Sequence, residues 1–174
     1  MLWGAAEGFL FFVVPDVLIS LVALRRGFRM GALASLAAAL GAMVGGAAMW
    51  LWSANAPGPA LKAVAAVPSV SDAMIDKARA DMAREGWIVA SLKGPLTSTP
   101  YKVYAALAPR AGASLPAFAA AALPVRLPRF LLVAAAFSAV GAMMRGRVGQ
   151  KTTLAVFTAG WVLFYGWFWM TRPG

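Results

Sequence analysis

The 174-residue chain has no cysteine and no histidine. Their absence excludes disulfide frameworks, zinc sites of the usual Cys/His kind, thiol nucleophiles and imidazole acid–base catalysis. Acids are scarce as well: six Asp and Glu stand against 16 Lys and Arg, a formal net charge of +10. Charged residues make up only 13% of the chain and apolar residues 61%, whereas soluble domains carry about 25% charged and roughly half apolar residues. This composition reads as an all-α integral membrane protein, and the length as one domain, residues 1–174. The basic residues form no long tract. They sit in short clusters between apolar runs, which suits anionic lipid and the positive-inside rule, and no nucleic-acid partner is expected.

Long apolar runs are what the chain has in quantity. Residues 30–52 hold no charge and as a helix would reach roughly 34 Å, enough for a hydrocarbon core of about 30 Å. Residues 152–170 are also uncharged, reach roughly 28 Å, and end in Trp161, Trp167 and Trp169, the pattern of an interfacial aromatic belt. A third hydrophobic region, residues 115–144, is interrupted by Pro124, Arg126, Pro128 and Arg129. Interior proline removes a helical hydrogen bond, so a short helix is expected before the break and a membrane helix over residues 129–144. With residues 30–52 and 152–170, that makes about three spanning helices.

Residues 69–86 differ in kind. They hold four of the six acids, with Lys77, Arg79 and Arg84 between them, while Met74, Ala78 and Met82 recur every fourth residue beside Ile75. That spacing makes a narrow apolar helix face, with Ser71 as N-cap and Gly86 as stop. An amphipathic helix at the membrane surface is expected; an ordinary solvated connector helix is the plainer alternative.

The remaining acids, Glu7 and Asp16, both lie inside the apolar run 2–24. The run has no basic start and no cleavage-site pattern, so it is not read as a signal peptide. A carboxylate in hydrocarbon costs at least about 2.5 kcal/mol unless it faces protein, water or a counter-charge. Pro15, just before Asp16, frees backbone groups that survive at membrane depth only against protein or a wet cavity. A re-entrant hairpin over residues 1–24, broken near residues 14–16, is therefore expected; a tilted helix with Asp16 paired to a neighbour is the alternative. Residues 87–109 mirror this with the opposite charge: Lys93 and Lys102 flank a break at Pro95 and Pro100. Either lysine can instead snorkel to the surface. On the functional reading, the lysines answer Glu7 and Asp16 across one cavity, and paired broken segments signal inverted repeats. The clusters Arg25, Arg26, Arg29 and Arg145, Arg147, Lys151 should be cytoplasmic, so that the two hairpins enter from opposite faces. Arg110, Arg126 and Arg129 fit that scheme poorly.

At this point a family resemblance enters. Trp3-Gly-Ala-Ala-Glu7-Gly with Val14-Pro15-Asp16 resembles the acidic re-entrant motif of the DedA superfamily, also called the VTT or SNARE-associated-Golgi domain. Gly94-Pro-Leu-Thr-Ser-Thr-Pro-Tyr-Lys102-Val-Tyr is similar to the second re-entrant motif of its YqaA-like branch. Gly41, Gly45 and Gly46 resemble its glycine-rich crossing helix, where small residues let helices pack closely, and Arg126-Leu-Pro-Arg129-Phe its following basic segment. The resemblance implies two opposed re-entrant hairpins, a bacterial inner (plasma) membrane, and movement of a phosphate-bearing lipid such as undecaprenyl phosphate or a phospholipid. It maps the family's acidic pair onto Glu7 and Asp16, for charge pairing or proton coupling. Lys93 and Lys102 fall where the family often has arginine; a lysine meets phosphate as a point charge rather than a fork. With Arg126 and Arg129 they form the expected headgroup site.

The leading reading is thus a flippase- or scramblase-like lipid transporter with membrane lipids as partners, and a homo-oligomer stays open. The alternative is a non-transporting assembly partner whose charge pairs only hold the fold. No cofactor, metal or catalytic constellation is legible, since Ser98 and Thr99 have no evident base, so an enzyme is not expected.

Overall fold

The computed structural model describes residues 1–9, 15–68, 70–94, 97 and 99–171. Among these residues it is all-helical: α1 (Leu2–Phe9), α2 (Asp16–Arg26), α3 (Phe28–Asn55), α4 (Pro57–Ala65), α5 (Asp72–Glu85), α6 (Trp87–Lys93), α7 (Tyr101–Leu107), α8 (Leu115–Met144) and α9 (Gln150–Thr171).

Helix α3 is the axis. Small side chains cover its buried face (Gly31, Ser35, Ala38, Ala42, Gly45), so neighbours approach to backbone distance. A Cβ built on Gly41 would lie 2.1 Å from the Met1 carbonyl oxygen, and one on Gly45 2.0 Å from that of Ala5. These contacts seat α1 along α3 in the same direction. Gly27, at φ 80°, closes α2 with its N–H on the Ala23 carbonyl and opens α3. That left-handed joint reverses the chain, and Gly31 packs on Ala23. Helix α8 runs antiparallel to α3: Gly31 meets Ala134, Ser35 Oγ donates to the Phe130 carbonyl (3.2 Å), and Trp50 Nε1 to that of Ala113 (3.1 Å). In turn α2 runs with α8, since Gly141 abuts the Leu24 carbonyl and Arg129 reaches Asp16. It follows that α1 and α2 run in opposite directions on either side of the interruption. Helix α7 runs with α3, with Tyr101 on Gly46 and Ser53 Oγ donating to the Ala106 carbonyl (2.5 Å).

Two helices, α3 and α8, are long and apolar enough to cross a membrane; at about 1.5 Å per residue they measure roughly 42 and 45 Å. The expected third span, residues 152–170, lies within α9. The expected break in the 115–144 region is a correction: Pro124 and Pro128 sit inside one continuous helix. Both prolines and Ala120 lie one turn apart on the exposed side of α8, so the rings and the carbonyls they strand point away from the packed face. No neighbour is displaced and the helix runs through.

Helix α5 matches its local signals. Ser71 Oγ accepts from the Met74 N–H (3.3 Å), Gly86 has φ 83°, and Ile75, Ala78 and Met82 are buried. The start of the 69–86 segment, Ser69, lies outside the described residues. Helix α4, opened by Pro57 at its first position, was not expected. Segment 87–109 forms α6 and α7, with Pro100 extended just before α7. Pro95 and Ser98, like Val14 in the first break, lie outside the described residues.

Candidate functional site

Four ionisable residues are buried between α1, α2, α7 and α8: Glu7 (4% exposed), Asp16 (4%), Lys102 (2%) and Arg126 (5%). Glu7 comes from α1, held in place by the glycine seats on α3. Asp16 is the first residue of α2, where a carboxylate complements the positive helix end; Pro15, buried, precedes it. Arg126 and Arg129, three apart on α8, share the face turned to the bundle.

Arg126 donates from Nη2 to the Glu7 carboxylate, with both side chains 6% exposed. Its guanidinium also lies 4.9 Å from the Phe130 ring centroid and 5.6 Å from that of Tyr101. In a desolvated setting such cation–π contacts contribute about 2 kcal/mol. Arg129 Nη2 donates to Asp16 at 3.2 Å, the arginine half-exposed and the acid buried. Lys102, in the first turn of α7, feels the charges of both Glu7 and Arg126. Tyr101 stacks on Phe118 (5.5 Å) and lies against Gly46. The Tyr101 hydroxyl and Arg126 Nε are buried without a hydrogen-bond partner among the described residues.

The partners differ from those expected on one point. Arg126 and Arg129 donate hydrogen bonds to the two acids, Lys102 stays in the group within the field of Glu7, and Lys93 does not join it. Lys93 leaves the group because α6 follows α5 after a single residue, Gly86, and Glu85 captures it at 2.5 Å on the surface. That hydrogen bond, with a second from Arg84, holds the Glu85 carboxyl below its usual range. Of the glycines, Gly41 and Gly45 face α1, whereas Gly46 makes room for Tyr101. Sequence reasoning missed Tyr101 as a member of the group, although the Pro-Tyr-Lys run at the start of α7 placed it one residue from Lys102.

The charge inventory is unequal. Two carboxylates face three cations, Lys102, Arg126 and Arg129, and the four other acids of the chain all lie on α5. Fully ionised, the buried members balance, Glu7 and Asp16 against Lys102 and Arg126, and Arg129 adds a positive charge at the half-exposed edge. Compared with protein-family models, curated proteins and solved structures, the chain matches none.

Proposed function

We propose that this chain is an integral membrane protein that moves a phosphate-bearing lipid across the bilayer. The carrying observation is that two bases, Lys102 and Arg126, are buried together with Glu7 and Asp16 between α1, α2, α7 and α8, with Arg129 at the half-exposed edge of the group. Lys102 stands in the first turn of α7 against that helix's own dipole, within the field of Glu7, and on this proposal an anionic headgroup shares that place. Arg126 supplies a guanidinium and Tyr101 a hydroxyl beside it. On this proposal Glu7 and Asp16 neutralise the bases when the headgroup is away. Membrane insertion is supported by outward-facing apolar residues such as Leu33, Leu132 and Leu163, 59%, 72% and 71% exposed. The opposed directions of α1 and α2, and the alignment of α7 with α3, suit two hairpins entering from opposite faces. On this reading α9 is the third span and α5 lies on the outer surface.

The decisive measurement is lipid flipping in liposomes of a headgroup-labelled phospholipid. Lys102→Gln should fold and insert yet flip roughly ten- to a hundredfold more slowly, because an ionic hydrogen bond contributes about 1.5–3 kcal/mol. Asp16→Asn should do the same, and the double replacement should not recover activity. Unimpaired flipping by a well-folded Lys102→Gln protein would remove the transport reading and leave the charges to the fold alone, as in a membrane assembly partner.

Orientation is checked by cysteine labelling, which has no background here. Arg29→Cys, at the exposed start of α3, should react only from the cytoplasmic side, and Ala80→Cys on α5 only from the opposite side. The reverse at either site rejects the opposed hairpins.

A further inference from the structure

The strongest feature outside the charged group is a groove of about 420 Å³ between α9 on one side and α2 and α8 on the other. Leu24, Phe137, Met144, Phe157, Gly160 and Phe164 line it, and its volume is that of a ligand cleft of ~300–1,000 Å³. The hydroxyl of Thr153, at one end, is occupied by the Gly149 carbonyl. Across the groove, α9 meets the bundle through the Phe137–Phe157 edge contact and a 3.3 Å bond from Trp161 Nε1 to Ser20 Oγ.

The groove has a charged end and an apolar end. Leu24, Met144 and Thr153 mark the end at which α2 and α8 finish and α9 begins. Immediately beyond them stand Arg25, Arg26, Arg145, Arg147 and Lys151, all exposed. No acid accompanies this collar: Glu7 and Asp16 are paired deep in the bundle, and the remaining acids lie on α5. From Thr153 to Phe164 the lining of α9 covers roughly 16 Å, about half a hydrocarbon core, the depth of one leaflet.

We propose that this groove holds the acyl chain of an anionic phospholipid whose phosphate rests on the arginine collar, as a resident lipid that ties α9 to the bundle. The site is separate from the charged group and rests only on the membrane insertion proposed above. A second copy of the chain is the poorer occupant, because docking there would bring two such collars, and two chains of net charge +10, together.

The test is native mass spectrometry and thermal unfolding of the full-length protein in detergent. The probes are phosphatidylglycerol, phosphatidylcholine with the same chains, and free glycerol phosphate. Phosphatidylglycerol should be retained at least tenfold better than phosphatidylcholine and should raise the unfolding midpoint, while glycerol phosphate should do neither. Gly160→Phe, where a Cβ meets nothing within 4 Å, fills the groove and should abolish retention of both lipids without unfolding the chain. The triple change Arg25→Gln, Arg26→Gln, Arg145→Gln should erase the preference between them. Equal retention of the two lipids, a full effect from glycerol phosphate, unchanged lipid binding in Gly160→Phe, or a lipid-free dimer that shields α9 would each overturn the proposal. Should the triple variant not fold, the wild-type comparison and Gly160→Phe still decide. Failure of the wild-type protein to float with vesicles would instead reject membrane insertion, and slow flipping by Lys102→Gln bears only on transport.

Discussion

Arg126→Met with Glu7 left in place is expected to lower stability by about 3–5 kcal/mol, because removing one partner of a buried ion pair strands the other. For a chain of this size that corresponds to a fall in melting midpoint of roughly 6–20 °C. The Glu7 carboxylate would lose its guanidinium in a place 4% exposed, and Tyr101 and Phe130 would lose the cation between their rings. Glu7→Gln combined with Arg126→Met should recover much of the loss, since two neutral side chains of similar length carry little of the desolvation cost. Thermal unfolding of the two single variants and the double in one detergent measures this directly. A double variant no more stable than Arg126→Met would mean that the pair contributes little and that rotamer packing around Arg126 decides the outcome.

Gly45→Leu should be worse still for folded yield. A Cβ at Gly45 falls 2.0 Å from a backbone oxygen of α1, not from a side chain that can turn aside. Overpacking commonly costs about 1–3 kcal/mol; here the only relief is to lift α1 off α3, which also withdraws Glu7 from Arg126. Leu36→Ala, on the exposed side of the same helix, should change stability by less than about 0.5 kcal/mol. Gly166→Leu in α9, where nothing lies within 4 Å of the added Cβ, should be neutral or slightly favourable through helix propensity. Size-exclusion yield and melting midpoint rank the three, and a Gly45→Leu protein as stable as Gly166→Leu would contradict the backbone seat.

What could be read from the sequence was what is decided locally. Helix α5 carries its own cap, stop and apolar spacing, so its limits and buried face follow from residues 71–86 alone. The uncharged run at 30–52 marked α3, and two acids in an apolar segment marked Glu7 and Asp16 as residues needing partners. Which bases would serve could not be read: Arg126 lies 119 positions from Glu7, and their meeting depends on how α1 and α8 each sit on α3. Lys93 was misplaced for the converse reason, a nearby surface acid that outcompetes a distant buried one. The prolines of α8 misled because a local rule forbids them in a helix interior, whereas an exposed outer face relaxes it.

Those same prolines have a mechanical consequence. Pro124 and Pro128 delete two rungs of the α8 ladder, one turn apart, and Arg126 stands between them with Arg129 just beyond. Bending stiffness in a helix comes from those rungs. Opposite them, α1 is wedged backbone-to-backbone into α3, and to slide it must climb a whole helical step of about 5.4 Å. The two guanidiniums are therefore carried on the more compliant helix, and the Glu7 carboxylate on the one seated backbone-to-backbone.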